Sequence, residues 1–273
     1  MKSGAGGSAI SLMLSFPLAG LLVGCSVTGL LYPGIYSTAT PNWLAQTVGQ
    51  DAIDLFLITP VLVVSAVYAY YGNRLARVMW GGTIAYIIYT FLIYCFCVSF
   101  NALFAAYCAV LGLSVFSWIS FLYHMPRVGV HISDDWFLKS SAIYFILISI
   151  VFSILWLAEI IPASLAGHVP DSVLQAGIPT NPVHVIDLSM FLPAMFMLGL
   201  MVWRRKSWAF YLIPVALVFL ILMDLTIAAL AAILMQQGQP GDSTVVFVMG
   251  AMALVNVGLL IWFLNVSAED LSH

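Results

Sequence analysis

Pro182-Val-His-Val-Ile-Asp-Leu-Ser-Met-Phe-Leu-Pro193 and the earlier Gln50-Asp-Ala-Ile-Asp-Leu-Phe-Leu-Ile-Thr-Pro60 are the two stretches that decide the fold. Both contain Ile-Asp-Leu with a proline six residues after the aspartate, and both open a long apolar run that ends in basic residues. We interpret them as equivalent positions of a duplicated membrane unit.

The composition excludes an ordinary soluble domain. Hydrophobic residues make up 63% of the chain and charged residues 7%, with a mean hydropathy of +1.08. A soluble domain is roughly one quarter charged. We therefore expect an all-α, polytopic membrane protein, because helices of about twenty apolar residues are the natural way to cross a bilayer.

Hydropathy predicts eight transmembrane helices. We retain the first as a helix rather than a cleaved signal peptide, because its apolar run continues to Tyr32. The predicted spans are Ile10–Tyr32, Ala52–Tyr71, Val78–Phe100, Ala102–His124, Phe137–Ile161, Val183–Trp203, Trp208–Met235 and Thr244–Val266.

The basic residues orient these spans. With eight helices, all of them fall on one side, and the loops of the other side have none: Lys2, Arg74, Arg77, Arg127, Lys139, Arg204, Arg205 and Lys206. The positive-inside rule then predicts that both termini lie in the cytoplasm. We expect the protein to reside in the inner (plasma) membrane. Two longer polar connections, Pro33–Gln50 and Pro162–Pro182, lie on the predicted outer side.

The repeated stretch divides the chain into two four-helix repeats, residues 1–125 and 126–273, within one membrane domain. An even number of helices in each half makes the repeats parallel, as in transporters whose halves are related by an axis along the membrane normal.

Polar residues at the predicted outer ends of the helices form the candidate ligand-binding set. Asp51 and Asp54 are three residues apart and share a helix face, as do His184 and Asp187. Placed in the first turns of their helices, they also suit helix caps and partners of the helix dipole, and that alternative stays open. The complete predicted set is Asp51, Asp54, Asn101, Glu159, His184 and Asp187.

Glu159 is predicted to close the fifth helix, where a carboxylate opposes the helix dipole and needs compensation. No basic residue is predicted on this side, so a cationic partner is expected: a proton, an amine or a divalent metal ion. Oxygen ligands with one imidazole suit Ca²⁺, Mn²⁺ or Zn²⁺, and Asp54, Glu159, His184 and Asp187 are the candidate metal ligands.

Asp224 is a second intramembrane acid, with Asn256 at similar depth in the last helix. It is either a step in a proton or ion path or a protonated acid that joins two helices by a hydrogen bond. We interpret Tyr86, Tyr89, Tyr94 and Tyr107 mainly as packing residues.

The run Trp43…Asp54-Leu-Phe-Leu-Ile-Thr-Pro60…Ala66-Val-Tyr-Ala-Tyr70…Gly72…Arg77 resembles the EXPERA-type four-helix membrane proteins, the emopamil-binding sterol isomerases and the sigma-2 receptor. The chain departs from them by using Asp where they have Glu, and its second half keeps only Asp187 and Pro193. The resemblance implies a membrane-accessible pocket whose acids, Asp54 and by symmetry Asp187, hold a cationic amphiphile or a carbocation-like intermediate.

The leading hypothesis is therefore transport or sequestration of a small cationic or amphiphilic ligand in an outward-facing acidic pocket. One alternative is a membrane enzyme, such as a sterol or lipid isomerase or a metal-dependent hydrolase, that uses paired carboxylates as acid and base. The other is a structural subunit of a membrane complex. The expected partners are the lipid bilayer and a small-molecule or lipid-like ligand, with no nucleic acid.

Overall fold

The computed structural model describes residues 12–125, 132 and 134–268, and these form helices and connecting segments with no strand among them. Eleven α-helices are described within those ranges: α1 Ser15–Leu31, α2 Pro41–Ile53, α3 Thr59–Tyr70, α4 Arg74–Cys97, α5 Phe104–Tyr123, α6 Asp135–Ala166, α7 Asp171–Ala176, α8 Pro182–Ile186, α9 Leu192–Trp203, α10 Ser207–Gln236 and α11 Ser243–Ala268. Two π-turns, Asp54–Ile58 and Asp187–Phe191, join α2 to α3 and α8 to α9.

Seven helices in the described part of the chain are long and apolar enough to cross a membrane. Two of them are the continuous helices Pro41–Tyr70 and Pro182–Trp203 that run through the π-turns, and the others are α4, α5, α6, α10 and α11. The first predicted span corresponds to α1, which has 17 residues and is shorter than these. Seven spans are therefore supported by length and composition; the eighth span, the parallel repeats and the cytoplasmic termini remain predictions. Lys2 and Arg127, used in the orientation argument, lie outside the described residues.

Each π-turn follows from the Ile-Asp-Leu sequence and its proline. A proline inside a helix has no N–H to donate, and its ring clashes with the carbonyl four residues earlier. In both helices the wider turn ends just before the proline: the Thr59 amide donates to the Asp54 carbonyl, and the Leu192 amide donates to the Asp187 carbonyl. The Thr59 hydroxyl donates to the Asp54 carbonyl as well, at 2.7 Å. Turns of this kind recur at functional sites.

The helix that carries Asp51 and Asp54 begins earlier than predicted. The loop predicted over Pro33–Gln50 is wrong, because α2 starts at Pro41, with the Thr40 hydroxyl accepting the Trp43 amide at 3.2 Å as its cap. Three polar residues of this segment are buried helical side chains rather than loop residues: Asn42, Thr47 and Gln50.

The end of the fifth predicted span also differs. α6 passes through Pro162 and ends at Ala166, where Gly167 adopts a left-handed conformation with φ of 70°. Glu159 is therefore seven residues before the end of the helix, and the prediction that it closes the helix is wrong. Proline is tolerated within membrane helices, since neighbouring groups satisfy the carbonyl that loses its donor.

The chain divides into two compact units. Unit 1 comprises Met1–Met125 with Val218–Asn256, and unit 2 comprises Pro126–Leu217 with Val257–His273. The predicted repeats, residues 1–125 and 126–273, remain a prediction.

Unit 1 is built from α1 to α5 with parts of α10 and α11. Its core holds large side chains such as Trp80, Tyr86 and Phe91, and the Trp80 indole donates to the Ser15 hydroxyl at 2.7 Å. In unit 2, α6 packs closely against α9, because Gly199 has no side chain: a Cβ there would lie 2.9 Å from the Ala142 carbonyl oxygen. These helices position the polar residues described next.

Candidate functional site

Asp51 is a buried carboxylate held by two tyrosines in unit 1. Its side chain is 1% exposed. The Tyr36 hydroxyl donates to its Oδ2 at 2.9 Å, and the Tyr94 hydroxyl donates to its Oδ1 at 2.9 Å. The carboxylate fits against α1 because residue 29 is glycine; a Cβ at Gly29 would overlap the Asp51 carboxylate and come within 2.8 Å of the Tyr36 hydroxyl oxygen. Three separate segments therefore converge on one carboxylate.

Tyr36 lies outside the membrane-spanning helices, in the short 3-10 helix Pro33–Tyr36. Burial, together with the nearby Asp51 carboxylate, raises the pKa of its hydroxyl well above the ordinary value for tyrosine. The phenol therefore keeps its proton and acts as a hydrogen-bond donor to Asp51.

Asp54, one turn further along, is 2% exposed and has a different environment. The Gln50 amide donates to its Oδ1 at 2.9 Å and also to the Tyr86 hydroxyl at 2.9 Å. That hydroxyl is 2.8 Å from the Thr226 hydroxyl of α10. Within the described residues, Oδ2 of Asp54 is buried without a hydrogen-bond partner. We call this atom the open oxygen of Asp54.

Both acids lie deeper than predicted. Asp51 and Asp54 belong to a continuous helix of 30 residues that begins at Pro41. At 1.5 Å per residue, Asp54 is roughly 20 Å from that start, which is near the middle of the helix. Their predicted position in the first turn of a helix is wrong, and the cap interpretation for them falls with it.

Asn101 lies beside the tyrosine hydroxyls that surround Asp51. The Tyr107 and Tyr36 hydroxyl oxygens are 3.3 Å apart, and the Asn101 side chain lies near the Tyr107 hydroxyl. The Asn101 carboxamide oxygen also accepts the Leu103 amide at 2.8 Å, which shapes the turn between α4 and α5. Asn101 is thus linked to Asp51 by way of Tyr107 and Tyr36.

Asp224 and Asn256 form a second polar pair in unit 1. The Asn256 amide donates to Oδ2 of Asp224 at 2.8 Å, and both residues are buried. This geometry matches the alternative in which the two residues join α10 to α11. The pair therefore needs no ligand to satisfy this carboxylate oxygen.

Unit 2 brings together the remaining predicted residues. His184 is 6% exposed, and its Nε2 lies 3.6 Å from Oε2 of the half-exposed Glu159. The Trp156 ring packs against the His184 ring with centroids 4.6 Å apart, and the Trp156 indole donates to Oδ2 of Asp187 at 2.8 Å. Trp156 therefore connects His184 to Asp187.

Asn181 fixes His184 at the start of α8. Its side-chain oxygen accepts the amides of Val183 at 3.0 Å and His184 at 3.4 Å, as an N-terminal cap. The Ser172 amide, in the first turn of α7, donates to Oε1 of Glu159 at 3.3 Å. The prediction that His184 lies in the first turn of its helix is confirmed.

The metal alternative has no geometric support. Over residues 12–125 and 134–268, no three His, Cys, Asp or Glu side chains are grouped so that they could hold a metal ion. Of the four candidate ligands, Glu159 and His184 form an ion-pair contact, Asp187 is bonded to Trp156, and Asp54 lies in unit 1.

The acids are recognisable in the sequence, whereas most of their hydrogen-bond partners are not. Tyr36, Gln50, Trp156 and Thr226 were not singled out, and Tyr86, Tyr94 and Tyr107 were assigned to packing. Their hydroxyls bond buried polar groups instead. The sequence does contain one signal for them: polar residues before Asp51 recur at helical spacing, toward the face that carries Asp51 and Asp54, namely Asn42, Gln46, Thr47 and Gln50.

No protein-family model, curated protein or solved structure matches this chain.

Proposed function

We propose that the chain is a multi-pass membrane protein that binds a small cation or cationic amphiphile, and that the cation binds at Asp54. The observation that carries this proposal is the open oxygen of Asp54, a carboxylate oxygen buried in the middle of a helix long enough to span a membrane.

Electrostatics favours a cationic ligand. A charged side chain inside a membrane is costly and normally faces a partner or a pathway. The groups that contact Asp51 and Asp54 are the phenols of Tyr36 and Tyr94 and the amide of Gln50, which carry no positive charge. Among the described residues, none of these hydrogen-bond partners offsets the negative charge of the pair, and a bound cation would do so directly.

The form of the ligand follows from the surroundings. Large apolar and aromatic side chains enclose the pair, including Tyr86, Tyr94 and Tyr107. Such surroundings suit an amine with an apolar body better than a fully hydrated ion, because aromatic faces attract organic cations. Transport or sequestration of a cationic amphiphile in the inner (plasma) membrane, with both termini in the cytoplasm, is the function we propose.

The test is ligand-induced stabilisation of the purified protein in micelles of a neutral detergent. The probe is dodecyltrimethylammonium, compared with additional neutral detergent of the same chain length, and sodium chloride is tested against choline chloride. A ligand present at 100 times its Kd stabilises a protein by about 2.7 kcal/mol, which is a measurable rise in melting temperature. We expect the cationic probe to raise the melting temperature of the wild type and of Asp224→Asn, and to leave that of Asp54→Asn unchanged.

Asp224→Asn is the matched control because it makes the same change at another buried acid of unit 1. Equal stabilisation of Asp54→Asn and the wild type contradicts the proposal. The proposal is also contradicted if the melting temperature of the wild type changes identically with the cationic and the neutral amphiphile and does not change with sodium.

An acid–base enzyme is the second candidate, and one observation favours it. Asp51 accepts two phenol donors, whereas Asp54 has one amide donor and its open oxygen. Two neighbouring carboxyls in unlike environments are the arrangement by which one stays ionised and the other acts as an acid. Lipid mass spectrometry of membranes that contain the wild type or Asp54→Asn tests this: a product that depends on Asp54 favours the enzyme, and identical lipid profiles contradict it.

A further inference from the structure

We infer that Asp51 and Asp54 together hold one proton, that Asp54 carries it, and that a cation binds at Asp54 by displacing it. The displacement rests on the proposed function, whereas the position of the proton rests on the hydrogen bonds alone. The open oxygen of Asp54, buried without a partner in the described part of unit 1, is the observation from which the inference starts.

Asp51 is the ionised member of the pair. Its two oxygens each accept a phenol hydrogen, from Tyr36 and Tyr94. A carboxylate has two acceptor oxygens, and a protonated carboxyl has to donate from one of them. Protonation of Asp51 would turn one of these phenols into an acceptor, and its own hydrogen would then have only a longer bond available: to the Thr47 carbonyl oxygen at 3.2 Å for Tyr94, or to the Tyr107 hydroxyl oxygen at 3.3 Å for Tyr36, instead of 2.9 Å to Asp51.

Asp54 is the protonated member. Its Oδ1 accepts one neutral donor, the Gln50 amide, and its other oxygen is the open one. A neutral carboxyl with Oδ1 as its carbonyl and Oδ2 as its hydroxyl keeps the Gln50 hydrogen bond without change. Two carboxylates one turn apart repel each other when both are ionised, so a single proton relieves both the repulsion and the cost of a second buried charge.

The other groups that face the pair leave the proton where this argument places it. Among the described residues of unit 1 they are Cys25 of α1, Tyr36, Tyr86 and Tyr94 of α4, Tyr107 of α5 and Thr226 of α10. Thiols, phenols and hydroxyls do not become cations, so none of them can neutralise a second carboxylate. Since none of these described groups supplies a cation, we infer that an external cation replaces the proton on Asp54.

The exchange conserves charge. The O–H bond of the Asp54 carboxyl breaks, the proton leaves to solvent, and the cation pairs with the carboxylate that remains. The affinity for the cation therefore falls about tenfold for each pH unit on the acid side of the exchange, as linkage requires when one proton is released per cation bound. The same site thus responds both to cation concentration and to pH.

Infrared difference spectroscopy of the purified protein in micelles near neutral pH tests the proton. The spectrum of the wild type minus that of Asp54→Asn is expected to contain the C=O stretch of one protonated carboxyl. The wild type minus Asp51→Asn is expected to contain carboxylate bands instead. Carboxylate bands alone in the Asp54 difference overturn the inference, because Asp54 is then ionised.

Tyr36→Phe provides a second readout that a purely structural role would not change. Removing one donor to Asp51 makes protonation of that residue easier, so part of the proton should move to Asp51 and the C=O band should split. Tyr68→Phe, at an exposed tyrosine, is the control. An unchanged band in a folded Tyr36→Phe protein contradicts the role assigned to the phenol.

Adding dodecyltrimethylammonium in a weakly buffered solution with a pH indicator tests the displacement. About one proton per chain should be released as the C=O band disappears. If the C=O band of Asp54 persists after dodecyltrimethylammonium is added, and the cation does not stabilise the protein, the proposed function is wrong. Stabilisation that depends on Asp54 without a protonated carboxyl shows instead that the proton was misplaced while the proposed function stands.

Discussion

Gly29→Ala is the substitution that probes the polar group of unit 1 most directly. The methyl group would overlap the carboxylate of Asp51 and lie 2.8 Å from the Tyr36 hydroxyl oxygen. Overpacking of this kind costs about 1–3 kcal/mol, and a lost hydrogen bond between membrane helices costs on average about 0.6 kcal/mol. Alanine returns at most about 1 kcal/mol of helix propensity relative to glycine. We therefore expect the free energy of unfolding to fall by about 1–3 kcal/mol.

The assay is reversible unfolding of the purified protein by sodium dodecyl sulfate in mixed micelles, followed by far-ultraviolet circular dichroism. Gly24→Ala is the matched control, because it lies on the same helix and a Cβ there meets no described atom within 4 Å. Gly24→Ala should leave the stability unchanged or slightly raised. Both variants alter only one methyl group in α1.

A double substitution identifies the cause. Asp51→Ser shortens the side chain that the new methyl group meets, so it should offset part of the loss caused by Gly29→Ala, and the two effects should not add. The reasoning is refuted if Gly29→Ala is as stable as Gly24→Ala. Strict additivity of Gly29→Ala and Asp51→Ser also refutes it, since the two residues would then not be in contact.

Substitutions at three further positions test other parts of the structure. Gly199→Ala should destabilise unit 2 by about 1–3 kcal/mol, because its Cβ would lie 2.9 Å from a backbone carbonyl oxygen of the facing helix. Unfolding in the same mixed micelles measures the loss. An unchanged free energy of unfolding contradicts the close packing of the two helices. Asp224→Asn should retain the hydrogen bond to Asn256 and lose little stability, whereas Asp224→Leu should lose about 0.6 kcal/mol or somewhat more; equal losses would show that the hydrogen bond contributes nothing. The pKa of Asp242 is lowered by its hydrogen bond from the Thr244 amide at the start of α11. Since the folded pKa lies below the unfolded one, the stability that this cap contributes is present above the unfolded value of about 3.9 and is lost as the pH falls through the folded pKa. Asp242→Ala should therefore have a lower melting temperature than the wild type at pH 6. A difference in melting temperature that persists well below pH 3 contradicts this.

Hydropathy predicted the long helices well but failed where buried side chains are polar. Helix α2 was predicted as loop because Asn42, Thr47 and Gln50 lower the average of any window that contains them. In the structure these three residues are buried within unit 1 rather than exposed to lipid. Transfer scales measure the preference of a residue for lipid. They therefore give a low score to a helix segment whose polar side chains face other protein groups, and such a segment is left out of the predicted span.

The partners of the acids could not be predicted because they are distant in sequence. Tyr36 and Tyr94 are 15 and 43 residues from Asp51, and Thr226 is 140 residues from Tyr86. Nothing local specifies such pairs. The acids themselves were identifiable, because a carboxylate in an apolar run is costly wherever the chain places it.

The two Ile-Asp-Leu stretches separate what local sequence decides from what tertiary packing decides. Each gives the same backbone feature, a π-turn that begins at the aspartate and precedes a proline. The carboxyl groups nevertheless differ: Asp187 accepts the Trp156 indole, whereas Asp54 keeps its open oxygen. A proline at fixed spacing shapes the backbone in both places, but the side chains brought by neighbouring helices determine which carboxyl is available to a ligand. Matching sequence stretches therefore do not imply matching chemistry, and a role demonstrated for Asp54 would not extend to Asp187 without its own test.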